Sequence, residues 1–259
     1  MKVSKAIVDK RRNEIMKTIQ ENNSISVDDL VEKYDVSAVT IRRDLQYWED
    51  MGAIVRNYGS ASLIQEFVDD NKNYDRFRYM KAIAKRAALF VEDNDVIFIN
   101  TSMTAIMMID YIKYKNVTII TNNAKAINSH PDDQVEIIFT GGEVRYPKNS
   151  MVGDIALKAV NSINANKCFI GCSGLSKNGA STGLIKETSI NKAMIEHTRG
   201  KKFLLCDHTK IGLDYNYRYC GLNDVNTLIT DVEVEDEVLE ELVNDSKVEI
   251  IKVEPLNRN

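Results

Sequence analysis

The sequence predicts a two-domain α+β chain, with a small N-terminal winged helix-turn-helix followed by a larger α/β domain of Rossmann-like type. Three observations carry this. Val36-Ser37-Ala38-Val39-Thr40-Ile41-Arg42-Arg43-Asp44-Leu45 has the form of a turn leading into a short helix with one apolar face. From about residue 81, short β-branched runs alternate with helical patterns, the order expected of a largely parallel sheet. The 259 residues, 44% hydrophobic and 28% charged, suffice for one small core and one large one.

The N-terminal elements follow from spacing. Ile7, Ile15, Met16 and Ile19 form the stripe of a first helix. Val27, Leu30, Val31 and Tyr34 mark a second from about 27 to 34, with Ser24 or Ser26 as its start signal. Ser37 caps a third, whose Ile41, Leu45 and Trp48 share one face. Ile15, Ile19, Leu30, Val36, Ile41, Leu45 and Trp48 are the expected core. The opposite face carries Ala38, Val39, Thr40, Arg42 and Arg43, small and cationic residues suited to a DNA groove and its phosphates. Gly52 can stop this helix, and residues 53–63 read as a hairpin, or wing, placing Arg56 and Tyr58 beside DNA. The expected divisions are a DNA-binding domain over 1–64, a linker over 65–80 and an effector-sensing and oligomerisation domain over 81–259.

Charge sharpens the expectation. Residues 1 to 58 hold ten bases and ten acids, so this module does not grip DNA by bulk charge. Binding then rests on local clusters at Arg11, Arg12, Lys17, Arg42, Arg43 and Arg56 and on dimerisation, with affinity falling steeply with salt.

In the larger domain the expected strands are Val96 to Asn100, Val117 to Thr121, Val135 to Thr140, Lys167 to Gly171, Phe203 to Asp207, Thr227 to Thr230 and Val248 to Val253. The expected helices are Lys81 to Val91, Met103 to Tyr114, Ala124 to Ser129, Met151 to Ser162, Ser189 to Thr198 and Asp236 to Asn244. Ligands of such sheets bind beyond the strand C-terminal ends, and polar punctuation falls there. Asn100, Thr101, Ser102, Met103 and Thr104 follow the first strand, and Thr121, Asn122 and Asn123 the second. Gly141 and Gly142 follow the third, Gly171, Cys172, Ser173 and Gly174 the fourth, and Asp207 to Lys210 the fifth. Any one such loop reads as a turn; five on one edge read as a pocket. Hydroxyls and amides at a helix N-terminus, with Lys192 or Lys210 adding charge, suit the anion of a phosphorylated small molecule.

Other chemistry finds little footing. Cys168, Cys172, Cys206 and Cys220 lack zinc spacing, and His130, His197 and His208 have no metal-spaced partner, so neither a metal nor a disulfide role is expected of them, and no cofactor is expected. Apolar runs such as Val96-Ile97-Phe98-Ile99 are too short to cross a bilayer, and the N-terminus is charged where a signal peptide is apolar. A cytoplasmic location without membrane contact is expected.

Arg11-Arg12, Ile15, Val27, Leu30, Val36-Ser37, Thr40-Ile41-Arg42-Arg43-Asp44-Leu45, Gly52, Arg56 and Tyr58-Gly59-Ser60-Ala61 fall in an order that resembles the N-terminal signature of the DeoR family of bacterial transcriptional regulators. The resemblance continues through Thr121-Asn122, Gly141-Gly142, Gly153, Gly171-Cys172-Ser173-Gly174, Lys192-Ala193-Met194, Asp207 with Lys210, and Leu228-Ile229-Thr230-Asp231. It implies a sensor domain similar to ribose-phosphate isomerase and glucosamine-phosphate deaminase, a phosphorylated sugar as effector, double-stranded operator DNA as partner, and self-association of a repressor of carbohydrate metabolism. Two positions depart from the family pattern. The wing reads Tyr58-Gly59-Ser60-Ala61 instead of His-Gly-Gly-Ala, and the phosphate loop reads Asn100-Thr101-Ser102-Met103-Thr104 instead of Asp-x-Gly-Thr-Thr. The second change removes a carboxylate, a glycine and a hydroxyl donor. Two alternatives stay open: an isomerase-like enzyme using Glu143, Glu187 or Asp207 as base, and a DNA-binding regulator without a small-molecule effector.

Overall fold

The computed structural model describes residues 5–22, 24–50, 54–57, 59–63, 72–146 and 148–256. The chain forms two compact units that divide between Asp75 and Arg76.

The first unit comprises α1 (Lys5–Asn22), β1 (Ser24–Ser26), α2 (Val27–Tyr34), α3 (Ala38–Asp50), β2 (Ile54–Asn57) and β3 (Ser60–Leu63). Ser26 caps α2 by accepting from the Asp29 amide at 3.0 Å, and Asp35 ends it in the left-handed conformation at φ 49°. Ile15, Ile19, Leu30, Ile41 and Leu45 are fully buried, with Trp48, Ile54 and Ala61 closing the core and Val36 packed on its margin. The predicted stripes meet in this core except at Ile7, which is 57% exposed near the start of α1. The hairpin of β2 and β3 pairs Asn57 with Ser60 and turns at Gly59, whose φ of 75° favours glycine. β1 joins the outer side of β3, a pairing the sequence did not suggest. The proposed helix stop at Gly52 lies outside the described residues.

α4 (Lys72–Ala88) begins before the division and continues into the second unit. Nine residues of the expected linker belong to this helix. The Asn- and Asp-rich composition reads as loop, but Tyr79, Met80, Ile83, Ala84 and Ala87 form one buried stripe. Residues 64–71 lie outside the described residues.

Its sheet strands are β4 (Val96–Ile99), β5 (Val117–Thr121), β6 (Val135–Phe139), β9 (Lys167–Gly171), β12 (Lys202–Leu205), β14 (Thr227–Asp231) and β15 (Glu249–Val253). They pair in parallel in the order β15-β14-β12-β9-β4-β5-β6. From β4 the chain runs one way to β6, then returns beside β4 at β9 and runs the other way to β15. The boundary between β4 and β9 is a topological switch point, the usual ligand crevice of such sheets. All seven strands fall within two residues of the predicted runs.

The intervening elements were less legible. α5 (Met103–Ile106) passes into a 3₁₀ turn at Met107–Tyr111, and Ala124–Asn128 is also 3₁₀. The expected helix from Met151 is split: β7 (Glu143–Arg145) and β8 (Ser150–Val152) form a hairpin, Gly153 breaks the chain direction at φ 89°, and α6 (Asp154–Asn161) follows. α7 (Ile185–Glu196) begins four residues before its expected start, and α8 (Asp236–Val243) lies where predicted. β10 (Gly174–Ser176), β11 (Gly179–Thr182) and β13 (Tyr217–Cys220) make a small antiparallel sheet too short to announce itself by alternation.

Phe98, Phe169 and Phe203 are the largest fully buried side chains, and the rings of Phe169 and Phe203 stack 4.7 Å apart across β9 and β12. Phe169→Ala is expected to lower the unfolding free energy of this unit by about 3–5 kcal/mol, read by circular dichroism in urea.

Candidate nucleic-acid interface and effector site

On α3 the predicted division of faces holds. The Ser37 hydroxyl accepts from the Thr40 amide at 3.3 Å and its carbonyl from the Ile41 amide at 3.1 Å, so the helix starts where the sequence placed it. Ile41, Leu45 and Trp48 point inward. Val39 is 69% exposed, Arg42 and Arg43 are exposed, and Ala38 and Thr40 are half-buried beside them. An exposed β-branched residue flanked by two guanidinium groups at a helix start is the geometry that enters a major groove.

Three other arginines of the expected DNA-binding set are engaged within the unit. Arg11 and Arg12 were expected on DNA, but both are spent on Asp44, whose carboxylate is 1% exposed and accepts from their Nε atoms at 2.6 and 3.1 Å. Arg12 also lies over the Tyr47 ring at 4.3 Å, and its carbonyl accepts from Trp48 Nε1 at 2.8 Å. A buried carboxylate needs compensating charge, so the pair braces α1 against α3. Arg56 is likewise held, by Glu49 at 2.8 Å, by Gln46 and by the Arg42 carbonyl at 3.4 Å, which fixes the wing to α3. Tyr58 lies outside the described residues. Of the expected charge cluster, Lys17, Arg42 and Arg43 are exposed, whereas Arg11, Arg12 and Arg56 are half-buried and engaged within the unit.

At the switch point Asn100 is buried and fully engaged. Its Oδ1 accepts from the Gly171 amide at 3.0 Å and the Ser102 amide at 3.2 Å. Its Nδ2 donates to the Gly171 carbonyl at 2.9 Å and Asn191 Oδ1 at 3.2 Å. A carboxylate cannot donate, so asparagine fits this position for a structural reason, its amide being taken up by four hydrogen bonds within the fold. Ser102 accepts from the Ala105 amide at 3.3 Å, capping α5, and sits so close to Gly171 that a Cβ there would lie 2.1 Å from Ser102 Oγ. Thr101 and Met103 are half-buried, and Thr104 is buried with Oγ1 unpartnered.

Thr121, Asn122 and Asn123 are buried at the end of β5. Thr121 Oγ1 and Asn123 Oδ1 each accept at 3.1 Å, from the Asn123 and Lys125 amides respectively. Asn122 donates to the Met151 carbonyl at 3.2 Å and leaves its Oδ1 unpartnered. At Gly142, φ 104°, a Cβ would lie 2.5 Å from the Val152 carbonyl, so the Gly141-Gly142 turn packs directly on β8. Ser173 and Gly174 lead from β9 into β10. Lys192 does not join them: its side chain is 62% exposed and pairs with Glu196 at 3.8 Å.

Asp207 is fully buried and binds Arg76 of α4 through two contacts of 3.1 and 3.3 Å, with Thr209 and Lys210 also on it. Burial pushes its carboxyl up, but Lys210, Arg76 and Thr209 outweigh burial and hold it at about 2. His208 beside it bonds Asp231 at 2.9 Å, which raises the imidazole above its ordinary 6.5 against the effect of burial.

Several residues of this edge escaped the site prediction. Glu187 is 3% exposed; its Oε2 accepts from Thr182 at 3.1 Å and Lys148 at 3.4 Å, while Oε1 is unpartnered. Buried side-chain oxygens of Asn149, Ser150 and Thr188 are unpartnered as well. Arg145, Tyr146, Lys148, Ser173, Leu184 and Tyr215 line a cavity of about 370 Å³, and Gly142, Gly153, Ile155, Lys186 and Ser189 line another of about 450 Å³. Lysines and tyrosines in a short hairpin carry no motif, so the sequence offered no signal for them. Among the described residues no cluster of His, Cys, Asp or Glu is placed to hold a metal, and no helix is long and apolar enough to cross a membrane.

This combination of a winged helix-turn-helix and a switch-point α/β domain defines a two-domain DNA-binding regulator. The sequence pattern of the DeoR-like helix-turn-helix domain matches residues 11–67, and that of the DeoR C-terminal sensor domain matches residues 78–232. The chain belongs to the DeoR family of transcriptional regulators. It is 28% identical over 236 residues to the lactose phosphotransferase system repressor of Staphylococcus aureus (strain NCTC 8325 / PS 47), covering 88% of this chain and 94% of the relative. It is 30% identical over 231 residues to the HTH-type transcriptional regulator GolR of Listeria innocua, covering 86% and 91%. Among solved structures it is similar to ribose 5-phosphate isomerase A from Methanocaldococcus jannaschii, with TM-score 0.38 and 15% identity over 54% of this chain and 55% of that one. It is also similar to the initiation factor eIF-2B of Pyrococcus horikoshii OT3, with TM-score 0.40 and 13% identity over 80% and 74%.

Two predictions follow from these contacts. Asp44→Asn is expected to lower the stability of the first unit by about 3 kcal/mol, measured by tryptophan fluorescence in urea, because two cations lose their buried partner. The His208–Asp231 bond stabilises the second unit fully below pH 6.5, and that contribution is lost as pH rises through the raised folded-state value. Its thermal midpoint should fall over that rise in wild type and fall less in His208→Gln.

Proposed function

We propose that the chain is a homo-oligomeric repressor of a carbohydrate-metabolism operon, controlled by a phosphorylated sugar bound at the C-terminal edge of its parallel sheet. The observation that carries this is the set of buried, unpartnered oxygens on Thr104, Asn122, Asn149, Ser150, Glu187 and Thr188, which come from α5, the segment after β5, the β7–β8 hairpin and the first turn of α7. Buried polar atoms ordinarily have partners, and a polyhydroxylated ligand supplies donors of the right kind. The naming of one relative as a lactose phosphotransferase system repressor supports the carbohydrate assignment.

In this reading paired α3 helices enter successive major grooves, with half-site spacing set by the dimer. Arg76 couples the two activities: it lies on α4, directly after the division between the units, and is bonded to Asp207 at the effector edge. A ligand that engages Lys210 competes for Asp207 and so biases α4. It shifts the population only by its differential affinity for the two states. Catalysis is not proposed: the three carboxylates that could act as base, Glu143, Glu187 and Asp207, each pair with a lysine. The self-satisfied Asn100–Ser102 loop favours a second reading, a regulator indifferent to small molecules.

Fluorescence anisotropy on the DNA upstream of the chain's own gene, with a panel of hexose 6-phosphates and pentose 5-phosphates, separates these. Tight binding released by one compound is the expected result, and binding indifferent to all of them would leave the second reading. Arg42→Ala and Arg43→Ala should each weaken operator binding about 10-fold or more while leaving the melting temperature unchanged.

A further inference from the structure

Two of the four buried cysteines touch. Cys172 and Cys206 follow β9 and β12, adjacent parallel strands whose last paired residues are Gly171 and Leu205. Continuing that register by one residue sets Cys172 opposite Cys206, and their sulfurs lie 3.6 Å apart in a hydrogen bond. Neighbouring strands run about 4.8 Å apart, inside the roughly 4.4–6.8 Å Cα separation that a disulfide spans. Closing the bond therefore asks for a sulfur approach of about 1.5 Å and leaves the strands in place.

The pair is also graded. Cys172 is 7% exposed and Cys206 is fully buried. The bond with Cys206 holds the Cys172 thiol below its ordinary range against burial, with help from Lys210, and the same bond pushes Cys206 up. Burial pushes Cys168 up to about 11 and Cys220 higher still. The reactive member is thus the one nearer solvent.

We propose that Cys172 and Cys206 are an oxidisable dithiol, a modification site that takes a small peroxide. The Cys172 sulfur attacks one peroxide oxygen, the O–O bond breaks, and a sulfenic acid forms on Cys172 with release of water. The Cys206 sulfur then displaces that oxygen, which leaves as a second water carrying the Cys206 proton, and the S–S bond closes. The two sulfurs lose two electrons, and hydrogen peroxide is reduced to two waters. The crosslink joins the loop that carries Ser173 to the strand end that carries Asp207. Its effect on ligand response rests on the effector proposal, whereas the chemistry does not.

The test treats the full chain, reduced and desalted, with hydrogen peroxide, alkylates free thiols after denaturation, and maps linkages by mass spectrometry. The expected result is loss of two of the four thiols, one linked peptide pair joining Cys172 to Cys206 within a chain, and full recovery with dithiothreitol. Cys172→Ser and Cys206→Ser should each abolish the link, while Cys168→Ser and Cys220→Ser retain it, all with unchanged circular dichroism. Four alkylated thiols after peroxide, sulfinic acid on Cys172 without a linked peptide, or a link through Cys168, Cys220 or a second chain would each overturn the proposal. If no sugar phosphate releases operator DNA from the reduced protein, the effector reading fails while the mass result still decides the dithiol.

Discussion

The buried amide of Asn100 is the point on which the effector domain turns. Strand order reverses between β4 and β9, and a crevice must open there because the two connections leave in opposite directions. Asn100 spans it with four hydrogen bonds, two accepted and two donated, reaching the first turn of α5, both polar groups of Gly171, and Asn191 on α7. It ties the loop after β4 to the end of β9 and to α7. Gly171 follows from it: Ser102 occupies the space that any side chain at residue 171 would need.

The first unit depends on an analogous buried group. Asp44 sits in the recognition helix, yet its carboxylate faces the interior and is neutralised from α1 by Arg11 and Arg12. The cost of burying that charge is offset only with both arginines in place. The recognition helix is therefore held in orientation by charge, with the start of α3 left exposed. A formally neutral module with two exposed guanidinium groups draws little from bulk electrostatics, which favours groove contacts and paired modules over phosphate neutralisation.

Much of this was legible in the sequence, for identifiable reasons. The seven parallel strands are short apolar runs between turn residues, and the helix-turn-helix core follows from 3.6-residue spacing at Ile41, Leu45 and Trp48. What escaped were contacts between residues distant in sequence. Nothing local tells that Arg11 and Arg12 pair with Asp44, more than 30 residues away, or that Arg76, in a segment resembling linker, reaches Asp207. The burial of Glu187 did not show in the sequence because it is created by β11 and the β7–β8 hairpin, elements of three or four residues that pattern does not resolve. Lys192 looked functional by motif, but the helix it sits on turns it to solvent.

Hydrogen–deuterium exchange on the full chain, alone and with ribose 5-phosphate, glucose 6-phosphate, galactose 6-phosphate or fructose 1-phosphate at millimolar concentration, tests the central claim most directly. The account predicts that at least one compound slows exchange together at residues 100–104, 121–123, 148–151 and 185–191, with a change in α4 around Arg76. Protection confined to other segments, or a compound that releases operator DNA without protecting these strand ends, would contradict it.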